Sequence, residues 1–221
     1  MDTEIISIQV GTQQISIEQY ANVQNQVQAA ILCEEIDVPF WAVVWPSSVI
    51  AASAMPLVPN LEGARVLELG GGVGTLSIAA ALCGAKEAVS SDIAPEAADF
   101  VRSNAARNSM ENVHALTMDW NDIPDDLGAF DVVLAADVLY ADGMLRGLLR
   151  CLSKVLSEDG VAYIADPNRA MSGGFRGAAR LHGMIVDESH VPLELVQQAG
   201  LSSFRGVTLY TVRRKSSRRS S

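Results

Sequence analysis

Cysteine and histidine are scarce, with three of each in 221 residues. Cys33, Cys83 and Cys151 are odd in number, lie far apart and form no Cys-x-x-Cys pair. That pattern argues against a disulfide scaffold or a zinc site, and for reduced thiols in a cytoplasmic setting. His114, His182 and His190 lack metal-ligand spacing, so no metal is expected and each reads as a surface or strand-edge residue. No apolar run approaches the roughly 20 residues of a membrane-spanning helix; the longest candidates are broken by Gly84, Asp137 and Asp142. The opening "MDTEIISIQV" lacks the basic start and continuous apolar run of a signal peptide. A soluble chain without membrane association is expected.

Positive charge is also in short supply, with 16 Lys and Arg against 26 Asp and Glu, a net charge of −10. Five of the basic residues fall in the closing "RRKSSRRSS", so residues 1–212 hold 11 positive and 26 negative groups, a net of −15. Such a body repels a phosphate backbone and argues against nucleic-acid binding; it attracts a basic partner, such as a lysine-bearing protein surface. The tail, residues 214–221, reads as a disordered basic terminus, with an arm touching nucleic acid or membrane as the alternative.

What the chain does have is apolar content, 49% hydrophobic against 19% charged, enough for one globular domain with a sizeable core. "EIISIQV-GT-QQISIEQ" alternates in polarity on either side of a Gly-Thr turn and predicts a β-hairpin. Residues 18–36 are Gln-rich and fit loop or helix equally. "PSSVIAASAM" predicts a helix with Pro46 in its first turn. From residue 64 strands and helices alternate: "ARVLEL", "EAVSSDI", "VHALTMDW", "FDVVLAADVLY" and "VAYIAD" read as strands. Between them "GTLSIAAALCG", "PEAADFVRSNAARN" and "GMLRGLLRCLSKVLSEDG" read as helices. This alternation predicts an α/β, Rossmann-like, mostly parallel seven-stranded sheet covered on both faces. "GFRGAARLHG" then reads as a helix, and "MIVDESHVPLELV" and "GVTLYTVRR" as consecutive strands that form an antiparallel edge pair. The expected division is an N-terminal hairpin and extension over 1–37, a catalytic domain over 38–213 and the tail.

Open α/β sheets bind ligands beyond the carboxyl ends of their strands, and "VLELGGGVGTLS" places a glycine turn at such an end. The dinucleotide spacing Gly-x-Gly-x-x-Gly fails, because counting from Gly70 its third glycine falls on Thr75. That failure, with no evident hydride-relay histidine, counts against a nicotinamide oxidoreductase. The spacing present, Glu68-Leu-Gly70-x-Gly72-x-Gly74, resembles the motif of class I methyltransferases, which bind S-adenosyl-L-methionine (SAM). On that resemblance Glu68 suits a cationic ligand, and Asp92, ending the next strand, offers two acceptor oxygens to two ribose hydroxyls. Asp119 would bond the adenine amino group and Trp120 flank its ring.

"PFWAVVWPSS", "AADVLY" and "ADPNRA" narrow the likeness, and the chain resembles the seven-β-strand protein-lysine methyltransferases. Within them it is most similar to those that methylate the electron transfer flavoprotein β-subunit. The resemblance implies that Trp45 and Ala136 border the SAM site and that Gly70, Gly72 and Gly74 contact its amino acid part. It also implies that Asp137 and Tyr140, matching the family's Asp-x-x-Tyr, hold the acceptor lysine. The implied enzyme acts as a monomer on a protein with an accessible lysine. Asn168 stands where the family commonly has glycine in Asp-Pro-Gly-Arg, a departure that bears on the substrate rather than the donor.

Other readings stay open at this point. Trp41 fits a core aromatic better than a site residue, Tyr140 could be packing, and Asp166 could be a second acceptor-site carboxylate or the cap of a turn. Two rival functions are a small-molecule N-methyltransferase of the same fold and a SAM-binding interaction protein without transfer; the intact Asp137 and Tyr140 count against the second.

Overall fold

The computed structural model describes residues 2–21, 39–140, 143–168, 174–191, 196 and 206–215. The predicted hairpin is present. Strands β1 (Thr3–Val10) and β2 (Gln13–Tyr20) pair antiparallel around Gly11-Thr12, with Gly11 at a φ of +58°. Seven further strands form one sheet: β3 (Arg65–Leu69), β4 (Glu87–Asp92), β5 (Val113–Thr117), β6 (Phe130–Ala136), β7 (Leu156–Asp166), β8 (Met184–His190) and β9 (Thr208–Arg214). Their order is β5-β4-β3-β6-β7-β9-β8. Pairs from β5 to β7 are parallel, and β9 runs antiparallel to both β7 and β8. The chain therefore winds outward from β3 in both directions, and its topological switch lies between β3 and β6.

Five helices cover the two faces: α1 (Pro46–Ser53), α2 (Thr75–Leu82), α3 (Ala97–Arg107), α4 (Met144–Val155) and α5 (Phe175–Leu181). Side chains of a strand alternate between faces, and β3 shows the division. Val66 points into a core with Leu76, Ile78 and Val101 from α2 and α3. Leu67 and Leu69 point into a second core with Leu148, Leu152 and Phe175 from α4 and α5. Complete burial of one such aliphatic side chain contributes about 1.5–3 kcal/mol.

The hairpin belongs to this body rather than standing apart as an extension, since Ile8, Val10, Ile15 and Ile17 share the core of α2 and α3. Its outer edge is sealed by two asparagines of α3. Asn104 accepts from Glu18 N at 2.7 Å and donates to Glu18 O at 3.0 Å, while Asn108 accepts from Ser16 N and donates to Ser16 O, both at 2.8 Å. Four helical residues rise about 6 Å and two strand residues about 6.8 Å, so the side-chain amides match the strand's peptide spacing. Asn104 also donates to Val73 O in the glycine turn, at 3.0 Å. On the other side Gln19 accepts from Val44 N at 2.8 Å, which fixes the segment leading into α1.

Several predicted boundaries move. α4 ends at Val155 rather than at Gly160, because Leu156 already pairs with Phe130. β6 ends at Ala136 rather than Tyr140, since Asp137 turns the chain with a φ of +62°. β5 ends at Thr117 rather than Trp120, and β8 ends at His190. Arg214, read from sequence as the start of the tail, closes β9 and donates to the carbonyls of Ser153 and Leu156. Residues 22–38 of the Gln-rich stretch, Cys33 and residues 216–221 lie outside the described residues.

Candidate functional site

A cavity of about 710 Å³ opens at the carboxyl ends of β3, β4, β5 and β6, at the topological switch. Gly70 supplies its floor after β3, Asp92 closes β4, Asp119 and Trp120 follow β5, and Ala136 and Asp137 come from the end of β6. Trp45 and Tyr140 complete the set of sequence-predicted residues that line it. Phe40, Ile93, Met118 and Met144 line it too and were not anticipated. Ile93 directly follows an acidic strand end and is 68% exposed, which is the signal that could have found it.

Three predicted site residues, Glu68, Gly72 and Gly74, stand behind the wall rather than in it. Glu68 shares the face of Val66, beneath α2, and is 3% exposed. Its carboxylate accepts from Leu76 N, Ser77 N and Ser90 Oγ, each at 3.0 Å, so it caps the amino end of α2 instead of meeting a ligand. Burial pushes its carboxyl above the ordinary range, and those donors pull it back down. A Cβ on Gly71 would fall 2.2 Å from Ser90 Oγ, so that glycine fits the cap. Gly72, at a φ of +53°, lies against the backbone of Trp41, and Gly74, at +86°, lies under Val101 of α3.

Asp92 is pinned from both sides: Oδ2 accepts from Gly72 N at 2.9 Å and Oδ1 from Ala94 N at 3.0 Å. Each oxygen keeps a second lone pair, and the carboxylate lines the cavity. Burial raises its carboxyl above the usual aspartate value, against the pull of the Ala94, Gly72 and Ile93 amides. Asp119 accepts from Asn121 N at 2.8 Å and from its Nδ2 at 3.0 Å. α4 clamps this loop: Arg150 donates to Asn121 Oδ1 at 3.0 Å and Lys154 to Ile123 O at 2.8 Å.

Asp137 is 6% exposed; its amide donates to Ala165 O at 2.9 Å and its Oδ2 accepts from Ser47 Oγ at 2.5 Å. Beside it stands an aromatic group. Phe40 stacks on Trp45 and lies tilted against Tyr140, with ring centroids 6.2 Å apart in both pairs. Trp45 also donates from Nε1 to Phe40 O at 3.1 Å. Trp41 packs between Tyr20 and Phe100, as a core aromatic should, while also touching the cavity. Asp166 is fully buried at the end of β7 and does not line the cavity among the described residues. Asn168 takes a φ of +62°, and its Oδ1 accepts from Thr208 Oγ1 at 2.5 Å.

The described lining thus carries three carboxylates and no lysine, arginine or histidine. Such a wall favours a cationic ligand with hydrogen-bond donors and disfavours a pyrophosphate.

Comparison with known proteins agrees with that chemistry. The electron transfer flavoprotein beta subunit lysine methyltransferase of Danio rerio is 33% identical over 134 residues, covering 60% of this chain and 51% of that protein. The protein N-lysine methyltransferase METTL21A of Xenopus tropicalis is 27% identical over 150 residues, covering 66% of this chain and 70% of that one. This chain spans about half the length of the electron transfer flavoprotein beta subunit lysine methyltransferases it matches. Among solved structures, the ribosomal protein L11 methylase of Lactobacillus delbrueckii subsp. bulgaricus superposes with a TM-score of 0.60 at 22% identity, covering 76% of this chain and 78% of that one; this likeness is one of fold. Residues 24–173, which include the glycine turn, Asp92, Trp120 and the Asp137 turn, match the profile of the lysine methyltransferase family. An acidic, aromatic-walled cavity at the switch of a methylase-like sheet and a family match spanning most of the chain lead to one conclusion: the chain belongs to the lysine methyltransferase family.

Proposed function

We propose that this chain transfers a methyl group from SAM to a lysine side chain of a protein, with residues 38–213 as the working unit. The observation that carries the reading is the wall itself: carboxylates at Asp92, Asp119 and Asp137, aromatic faces at Trp45, Trp120 and Tyr140, and no cationic side chain among the described lining residues. Asp92 accepts the ribose hydroxyls, Asp119 and Trp120 hold the adenine, and Gly70, Trp45 and Ala136 border the methionine part. Gly72 and Gly74 serve the donor through the shape of the turn rather than by contact, and Glu68 through the helix cap.

The donor supplies a methyl group on a cationic sulfur, released to an amine as the carbon–sulfur bonding pair returns to sulfur. This chain's task is to align the amine and let it shed its proton, since a lysine ammonium has an ordinary pKa of about 10.4. Asp137 accepts a hydrogen bond from the amine and stabilises the ammonium product, and the Tyr140 ring faces the same cation. The acceptor end meets the surface, where Phe40 and Tyr140 are 38% and 48% exposed, as a macromolecular acceptor requires.

A net charge of −10 favours a basic protein surface over nucleic acid. The electron transfer flavoprotein β-subunit is the first substrate to try, because relatives are named for it. A monomer in the cytoplasm completes the reading, supported by the three separated cysteines; no helix among the described residues is long and apolar enough to cross a membrane.

Titration with SAM and its demethylated product, followed by radiolabelled transfer to that subunit and to lysate of the source organism, tests the reading. Heat of binding and label on lysine of a protein band are expected. Label confined to small molecules moves the acceptor class, and no heat with either ligand overturns the reading.

A further inference from the structure

Ser47 does not line the cavity among the described residues, yet it touches the residue assigned to the acceptor amine. It is the second residue of α1, set there by Pro46, whose missing N–H costs nothing in a first turn. The side chain is fully buried, and a buried hydroxyl requires a partner. Its partner lies 90 residues away: Ser47 Oγ donates to Asp137 Oδ2 at 2.5 Å, a length typical of a hydroxyl on an ionised carboxylate.

The main chain of Asp137 is fastened separately. Its φ of +62° places it in the left-handed region, which non-glycine residues avoid, and its amide is tied to Ala165 O on β7. Backbone position is therefore set by the β6–β7 pairing, and the direction of the carboxylate by Ser47. The amino end of α1 adds a partial positive charge beside the same group. Because Trp45 immediately precedes α1 and stacks on Phe40, the same bond also ties the aromatic group to the end of β6.

We infer that Ser47 is a positioning residue for methyl transfer: it orients the Asp137 carboxylate toward the acceptor amine and keeps it ionised. This role rests on the functional reading above. A hydroxyl donating to the carboxylate favours its charged form, so loss of that donor raises the pH at which Asp137 takes a proton. Donor binding depends on Asp92, Asp119 and Trp120 and is expected to be indifferent to Ser47.

The experiment compares wild type with Ser47→Ala, Ser47→Cys and Ser47→Thr, measuring SAM affinity by calorimetry and acceptor kcat and KM across pH. Ser47→Ala is expected to leave SAM affinity within about threefold, lower kcat roughly tenfold or more, and move the acid limb of the kcat profile to higher pH. Ser47→Thr keeps the hydroxyl and should restore both kcat and the limb. Ser47→Cys, close in size but a weaker donor, should fall between and carries the test if the alanine variant is too unstable to assay. Wild-type kcat with an unmoved acid limb in the alanine or cysteine variant overturns the role while leaving the functional reading intact. A wild-type protein that binds no SAM and labels no lysine refutes that reading, and the role of Ser47 with it.

Discussion

The carbonyl oxygen of Trp41 lies 2.4 Å from the point that a Cβ on Gly72 would occupy. Two segments thirty-one residues apart in sequence thus meet backbone to backbone, and the glycine is needed by its neighbour rather than by a ligand. The amide of the same glycine holds Asp92 Oδ2. Gly72→Ala adds the steric overlap to a positive φ that costs a side-chain-bearing residue about 1–2 kcal/mol. The variant should melt several degrees lower and bind SAM at least tenfold more weakly. Thermal unfolding and calorimetry check both; wild-type values in each would place Trp41 and Gly72 further apart than described.

Asp92 gives a pH signature. Burial raises its carboxyl, so the protonated form persists in the free protein to a higher pH than at an exposed aspartate. Ribose hydroxyls need acceptors, so SAM selects the ionised form, and binding on the acid side releases a proton. Affinity should be level near neutrality and decline as pH falls through the raised value, approaching tenfold per unit. Asp92→Asn should bind more weakly and lose that slope. Calorimetry over a pH series reads both, and a variant that keeps the wild-type slope would move the titrating group elsewhere.

Asp92 and Asp137 should separate binding from transfer. Asp137→Ala is expected to keep SAM affinity within a few-fold and abolish methylation. Asp92→Ala should weaken SAM binding first. If calorimetry on the Asp137 variant finds the donor lost along with activity, the residue belongs to the donor site and not to the acceptor.

Asn168 departs from the family's glycine without departing from its conformation. A φ of +62° is open to glycine, and asparagine tolerates it better than most other residues. Its side chain adds bonds to Thr208 and Gly206 on the approach to β9. Asn168→Gly should therefore cost less stability than Asn168→Ala, with the alanine variant down by about 1–2 kcal/mol. Denaturant unfolding ranks the pair, and equal stabilities would mean the left-handed turn is not maintained.

The parallel sheet could be read from sequence because buried strands appear as short apolar runs between helical patterns, and Leu67, Val133 and Ile164 all sit in such runs. Asp92 and Asp119 were readable as acidic residues at strand ends. The position of Glu68 was not, because β3 is buried on both faces and its alternation cannot tell the cavity side from the helix side until α2 is seen above it. The end of β6 was hidden for a different reason: Asp137 makes a left-handed turn without a glycine to announce it. Ser47 carried no signal, since its partner lies 90 residues away and nothing local distinguishes a buried serine from a capping one.

The asparagine seal on β2 has a temporal consequence. Ser16 and Glu18 leave the ribosome long before Asn108 and Asn104, their partners 92 and 86 residues downstream. Until α3 has been synthesised and coiled, the ribbon has an open edge and no apolar bed to lie on, and an isolated two-stranded ribbon is marginal in water. The segment made early is therefore fastened late, and it brings the Gln19–Val44 bond with it. Nascent chains arrested before residue 104 should carry a protease-sensitive N-terminus that becomes resistant only as later codons are read.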